Sequence, residues 1–171
     1  MVTLIVATKE ECEMMKEHFP EYSCIYTKIG ASNIIRTCYD IPRDTQMINI
    51  GYAGSNSLPI GTVCKVKRTF RLKDEAFKFE DYRHGFQLSE EGFDCYTSNS
   101  FVTHTDIKEP CLFDMELNYI AAFPFKLLGS IKIVSDSLCE TAYNDYVNQQ
   151  NLPQIEKVRL ILEEMVKEVR G

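Results

Sequence analysis

The chain has 171 residues, 44% of them hydrophobic and 26% charged, with a net charge of −6. That is enough for one domain with a substantial core and too little for two ordinary ones. The acidic balance argues against nucleic acid, whose binding needs a basic footprint; Lys65, Lys67 and Arg68 form the only tight basic group, and a solvated strand face accounts for it.

Residues 2–7 are a continuous apolar run, as in a strand covered on both faces. The run is too short to span a membrane, and no basic segment precedes it as in a signal peptide. The chain therefore reads as cytoplasmic, with no membrane partner. A helix is predicted over 9–19, stopped by Pro20 and opened by a capping box of Thr8 and Glu11. Residues 23–28 suit a short strand, 31–39 a helix closed before Pro42, and 46–50 a buried strand. Gly51-Tyr52-Ala53-Gly54-Ser55 then reads as a tight turn where backbone can approach a ligand.

Pro59-Ile60-Gly61 marks another turn, followed by a strand over 62–70. Residues 71–93 are charged and aromatic without a clean period, and read as a loop, a flap or irregular strands. A strand is expected over 94–98, with Phe101 and Val102 at its end. A helix is expected over 115–123, broken by Pro124, then a strand over 130–134 and a helix opening at Ser137. In the last helix Ile155, Val158, Leu162, Met165 and Val169 recur at three- and four-residue steps.

This alternation indicates a single α/β domain over 1–171, with a central mixed, mainly parallel sheet flanked by helices. Ligands of such sheets sit beyond the carboxyl ends of the strands. Glu11, Gly51, Gly54, Phe101 and Asp136 all fall just after predicted strand ends, and so converge on one pocket. Seven cysteines and three histidines are scattered, with no Cys-x-x-Cys and no His-Glu-x-x-His. The cysteines read as small core residues, and neither a metal nor another cofactor is expected.

Six stretches carry a resemblance: 5–11, 48–54, Ile60-Gly61-Thr62-Val63, Ser98-Asn99-Ser100-Phe101-Val102, Asp114-Met115-Glu116 and Ile133-Val134-Ser135-Asp136. In this order they resemble the nucleoside phosphorylase superfamily, most of all the methylthioadenosine/S-adenosylhomocysteine nucleosidases. The chain is shorter than is usual for that family. The resemblance implies a purine nucleosidase that hydrolyses the N-ribosidic bond of a 5′-substituted adenine nucleoside, and a homodimer whose partner helps close the pocket. The aromatic-rich stretch 77–82 suits such an interface, or a solvated hairpin with one packed face.

Breaking that bond puts positive charge on the sugar and negative charge on the purine. By resemblance, Asp136 is the acid that protonates the base, Glu116 binds the ribose hydroxyls, and Glu11 activates the attacking water. Met115 packs on the nucleoside, Phe101 stacks on the purine, and the Val102 backbone bonds its edge. Gly51, Tyr52 and Lys132 complete the substrate side. Each has a structural alternative. Asp136 precedes a helix, although Ser137 and Glu140 already spell a capping box there. Asp114 and Glu116 suit an acidic first turn, Glu11 serves its own capping box, and Phe101 suits a core.

Phosphorylases of the superfamily commonly place Arg where Asn49 stands, and Ser or Thr where Tyr52 stands. Both are missing here, so water is the expected nucleophile. Two residues depart from the nucleosidase pattern. Tyr52 replaces a small hydroxyl residue, and Lys132 stands where an Arg lies near the water, keeping the charge but losing the planar fork. A phosphorylase using Lys132 for phosphate, and a nucleoside-binding module with impaired catalysis, are the alternatives.

Overall fold

The computed structural model describes residues 1–72, 85–149 and 152–171. The stretch 77–82, expected at an interface or in a hairpin, lies outside the described residues. Strand β1 (Val2–Val6) is followed by α1 (Lys9–His18), β2 (Ser23–Tyr26) and α2 (Ala31–Cys38). Then come β3 (Gln46–Ser55), β4 (Val63–Arg71), β5 (Phe86–Gln87), β6 (Phe93–Thr97) and β7 (Cys111–Asp114). Helix α3 (Leu117–Ala121), strand β8 (Lys126–Asp136) and helices α4 (Glu140–Val147) and α5 (Leu152–Arg170) complete the order.

The sheet is mixed and mainly parallel, as expected, but it is not an open layer. Strand β3 pairs with β7, β7 with β6, β6 with β4, β4 with β8, and β8 returns to β3. Five strands therefore close a barrel-like ring. Strands β1 and β2 continue in parallel from one edge of β3, and β5 pairs with β4. Closure follows from β3 and β8 being long. They pair in parallel over nearly their whole length along one edge each; the other edge of β8 takes β4 at Ile131–Ile133, and β3 takes β7 at its end, Gly54 and Ser55.

The side-chain period of two sends alternate residues into the ring. Ala53, Cys64, Val66, Cys95, Leu112 and Val134 pack there from all five strands, and Leu117 of α3 joins them. These are small or medium side chains, which suits a narrow ring. On the outer face of β1, β3 and β8, the stripe of α5 seats Ile155, Val158, Leu162, Met165 and Val166. Val169, placed on that stripe by periodicity, is 40% exposed.

Several expectations need correction. The stretch 51–55 is not a turn. Strand β3 runs through it to Ser55, because β8 pairs with it as far as Gly54. The helix expected over 115–123 spans only the five residues of α3, and the chain before it is β7, which ends at Asp114. Strand β8 starts four residues earlier than the sequence suggests, at Lys126. Phe101 and Val102 lie in irregular chain beyond β6. Of the alternatives for 71–93, the described residues show a short strand, β5.

Candidate active site

A cavity of about 390 Å³ lies at the ends of β1, β3, β7 and β8, under α4. Glu11, Tyr52, Phe101, Val102, Met115, Glu116 and Asp136 all line it. Seven of the nine site residues suggested by the sequence are thus brought together. The two exceptions are Gly51 and Lys132, which lie behind the wall.

Glu11 is buried in the first turn of α1. The capping box forms, with the Glu11 amide donating to Thr8 Oγ1 at 3.1 Å and the Thr8 amide to Glu11 Oε2 at 2.8 Å. The Ala7 amide also donates to Oε2, at 2.9 Å. Capping therefore occupies one oxygen, and Oε1 is left for the cavity. Burial raises the Glu11 pKa above its ordinary value, against the lowering effect of these amides and Lys132.

Asp136 is fully buried at the end of β8. The β3–β8 register shifts between Ala53 and Gly54, so that Ser135 is skipped and Asp136 faces Gly54. Bulges of this sort re-aim side chains beside active sites. A Cβ on Gly54 would stand 2.8 Å from Asp136 Oδ1, so only glycine leaves the carboxylate its place. Oδ1 accepts the amides of Leu138 at 2.9 Å and Cys139 at 3.2 Å, and Oδ2 accepts the Ser135 hydroxyl at 2.8 Å.

This overturns the capping box expected from Ser137 and Glu140. Helix α4 starts with Cys139 at its N-cap and no side-chain cap, while Asp136 itself holds the amides before it. Leu138 adopts φ +65° to present its amide, a left-handed conformation costing roughly 1–2 kcal/mol for a non-glycine residue.

Glu116 is the N-cap residue of α3, yet its side chain makes no cap bond. Asp114 does that work: its Oδ2 accepts the Leu117 amide at 3.0 Å, and its Oδ1 accepts the Thr97 hydroxyl at 2.6 Å. The Glu116 carboxylate is thereby left to the cavity. Burial and the neighbouring Asp114 charge push its pKa up to about 8, against the lowering effect of Lys132.

Lys132 is completely buried, with Nζ 2.7 Å from Asp114 Oδ2 and 4.0 Å from Glu116 Oε2. The nearer contact is an ion pair without hydrogen-bond alignment. Burial alone would lower the Lys132 pKa, but the two carboxylates outweigh it and hold the ammonium charged. An alanine Cβ at Gly51 would stand 3.5 Å from Lys132 Nζ and 3.6 Å from Glu11 Oε1. Gly51 therefore separates the ammonium from the free oxygen of Glu11 by a methyl-sized space.

Sequence reasoning missed α4 as a wall. Glu140, Tyr143 and Asn144 line the cavity from one face of that helix. The Tyr143 ring stands edge-on to Tyr52 at 6.5 Å and is 6.0 Å from Phe101, forming an aromatic side to the pocket. Burial, then the charges of Glu11 and Glu116, push the Tyr143 pKa well up, so the phenol stays a neutral donor. The signal was the i, i+3, i+4 spacing of these residues, which marks a shared helix face.

The arrangement can hold a flat apolar ring between Phe101 and the strand ends. Three carboxyl groups, those of Glu11, Glu116 and Asp136, share the cavity with it and can bond or exchange protons with a ligand there. No family model and no curated protein matches the chain. Solved structures do resemble it. The nucleosidase CT263 (MTAN) of Chlamydia trachomatis superposes with a TM-score of 0.73 at 16% identity, covering 96% of this chain and 98% of that one. The 5′-methylthioadenosine/S-adenosylhomocysteine nucleosidase of Helicobacter pylori gives 0.74 at 13%, covering 98% and 97%. Futalosine hydrolase of the same organism gives 0.73 at 14%, again covering 98% and 97%. The chain has the fold of these nucleosidases.

Proposed function

We propose that the chain is a purine nucleosidase, hydrolysing the N-ribosidic bond of an adenine nucleoside with a 5′ substituent. The observation that carries this reading is the meeting of Glu11, Glu116 and Asp136 around one cavity with Phe101 and Met115 on its walls. The fold supports it too. The Chlamydia nucleosidase has been solved with adenine, and an Asp-to-Asn variant of it with MTA.

In this reading the purine lies against Phe101 with its imidazole edge toward Asp136. The two amides occupy Oδ1, so the proton for the base is carried on Oδ2. The Ser135 hydroxyl, 3.3 Å from the Ala53 carbonyl, can turn to that oxygen when Oδ2 is protonated. Asp136 gives its proton to the purine as the sugar–nitrogen bond breaks. Glu116 holds the ribose hydroxyls. Glu11 Oε1 takes a proton from water as its oxygen bonds to the sugar's anomeric carbon. The products are free base and free sugar, and one proton must pass from Glu11 to Asp136 to reset the site.

Phosphorolysis is not carried forward. Phosphate needs free cationic donors, and Lys132 is enclosed and paired with Asp114. The proposal includes a homodimer and a cytoplasmic location. Exposed Ile29 at the cavity and Ile35 and Tyr39 on and just after α2 support the first, and seven free cysteines the second. Purified protein given methylthioadenosine, adenosylhomocysteine, adenosine and inosine should release free base from at least one, at the same rate with and without phosphate. Absence of release from all four under both conditions would sink the assignment.

A further inference from the structure

The cavity is walled by carboxylates. Glu11, Glu116 and Asp136 stand inside it, and Glu140 stands at its rim beside Asn144 on the exposed edge of α4. Asp114 also reaches the wall, but its charge is matched by Lys132 at 2.7 Å. No Lys, Arg or His is among the described residues of the lining. The remaining wall is aromatic, with Tyr52, Phe101 and Tyr143, whose ring faces favour cations over anions.

We infer that this site selects nucleosides by the charge of the 5′ group: it accepts neutral and cationic substituents, rejects anionic ones, and uses Glu140 as a rim determinant of that choice. The inference rests on the nucleosidase reading for the orientation of the ligand. With the base at Asp136 and the ribose hydroxyls at Glu116, the exocyclic 5′ carbon is the part of the sugar left to carry a group toward the mouth. The mouth is bordered by the exposed residues Ile29, Ser100, Glu140 and Asn144. An anion leaving there passes the carboxylate of Glu140 and meets no cation on the described lining. A cation at the same place is drawn to Glu140 and to the aromatic faces.

Glu140 is suited to this role and to little else. It opens α4 without a capping bond, and α4 buries no residue of its own. An acidic side chain in a helix first turn is mildly favourable through the helix dipole, which accounts for an acid somewhere in the turn but not for its facing the cavity.

The test is a panel at neutral pH and low salt: methylthioadenosine (neutral), 5′-amino-5′-deoxyadenosine (cationic), adenosine 5′-carboxylate and adenosine monophosphate (anionic). Base release and calorimetric binding are both read. Like-charge juxtaposition with Glu140 predicts that the two anions have kcat/KM or affinity about tenfold or more below methylthioadenosine. The amine should at least equal methylthioadenosine. High salt should narrow the gap. Glu140→Lys should raise the carboxylate relative to the amine by about tenfold or more, and Glu140→Gln should do so by less. An anion within threefold of methylthioadenosine, or a ratio unmoved in Glu140→Lys, overturns the inference. Binding in the expected order without base release would leave charge selection standing and remove the catalytic reading. Failure of every nucleoside to bind would remove both.

Discussion

At the scale of single residues, the site depends on how Asp136 is held. Two amides and one hydroxyl fix its carboxylate, and Gly54 leaves the room it stands in. Asp136→Asn keeps the shape but cannot deliver a proton. Its expected effect is a loss of roughly 10²–10⁴ in kcat with nucleoside binding retained, measured by single-turnover base release and calorimetry. Gly54→Ala leaves the acid in place chemically but puts a methyl 2.8 Å from Oδ1. A displacement of that order should cost about 10²-fold in kcat with little change in secondary structure. Wild-type turnover in Gly54→Ala would mean that the carboxylate is not where the chemistry happens. The identity of these residues was legible in Val134-Ser135-Asp136 and Gly51 to Gly54, but their physical roles were not. The sequence suggests Ser137 as the cap, because spacing to Glu140 fits a capping box. Two polar side chains so close along the chain compete for the same amides, and only the bulge at Ser135 decides that Asp136 takes them.

At the scale of elements, α1, α5 and two ring strands were legible, β4 and β6 being expected within a residue of their ends, while β3 and β8 were cut short and β7 was not expected. The capping box of Thr8 and Glu11 placed α1, and the apolar stripe placed α5, within a residue or a few of their ends. Strand β3 hid its second half, because Gly51 and Gly54 look like a turn when read locally. Inside a ring these small residues have another cause, which is room for Lys132 and Asp136. Strand β7 is four residues long and fully buried, too short to show a period. It nevertheless carries Asp114, the partner of Lys132 on β8. That pair joins two strands that do not pair with each other, since both pair with β3. Removing one member leaves the other charge buried and unmatched, at a cost of roughly 3–5 kcal/mol. Lys132→Met should therefore lower stability by about that amount in urea denaturation, while Lys132→Met with Asp114→Asn, which keeps an acceptor for the Thr97 hydroxyl or the Leu117 amide, should recover part of it. The double variant should still lose activity, since that single acceptor cannot hold both the hydroxyl and the Leu117 amide that starts α3 beside Glu116. A single variant as stable as wild type would show that the pair is not charged in the folded protein.

For the molecule as a whole, the ring is the feature no local pattern could announce. Its closing contact pairs Val63 with Ile133 and Lys65 with Ile131, some seventy residues apart in sequence, and nothing near either stretch encodes that choice. What closure achieves is a packed base for the cavity in which Glu11 and Glu116 are buried, and these two groups shape how stability responds to pH. Glu116 is raised from 4.5 to about 8, chiefly by burial, and Glu11 is raised in the same direction for the same reason. A carboxyl with a raised folded pKa binds more protons folded than unfolded, so the slope of stability against pH is negative between the two values. For Glu116 the favourable contribution is complete below pH 4.5 and is lost as pH rises through about 8. Paired carboxylates elsewhere act oppositely at acid pH, which leaves about pH 5–8 as the window where these two groups dominate. Over that window the wild-type melting temperature should fall with rising pH. Glu116→Gln removes the titrating group but not the buried amide-sized volume, so its curve should be flatter by about 3 °C or more across the window. The comparison is made by thermal denaturation without nucleoside in matched ionic strength. Parallel curves for the two proteins would mean that Glu116 meets solvent in the folded state, against its burial in the cavity wall.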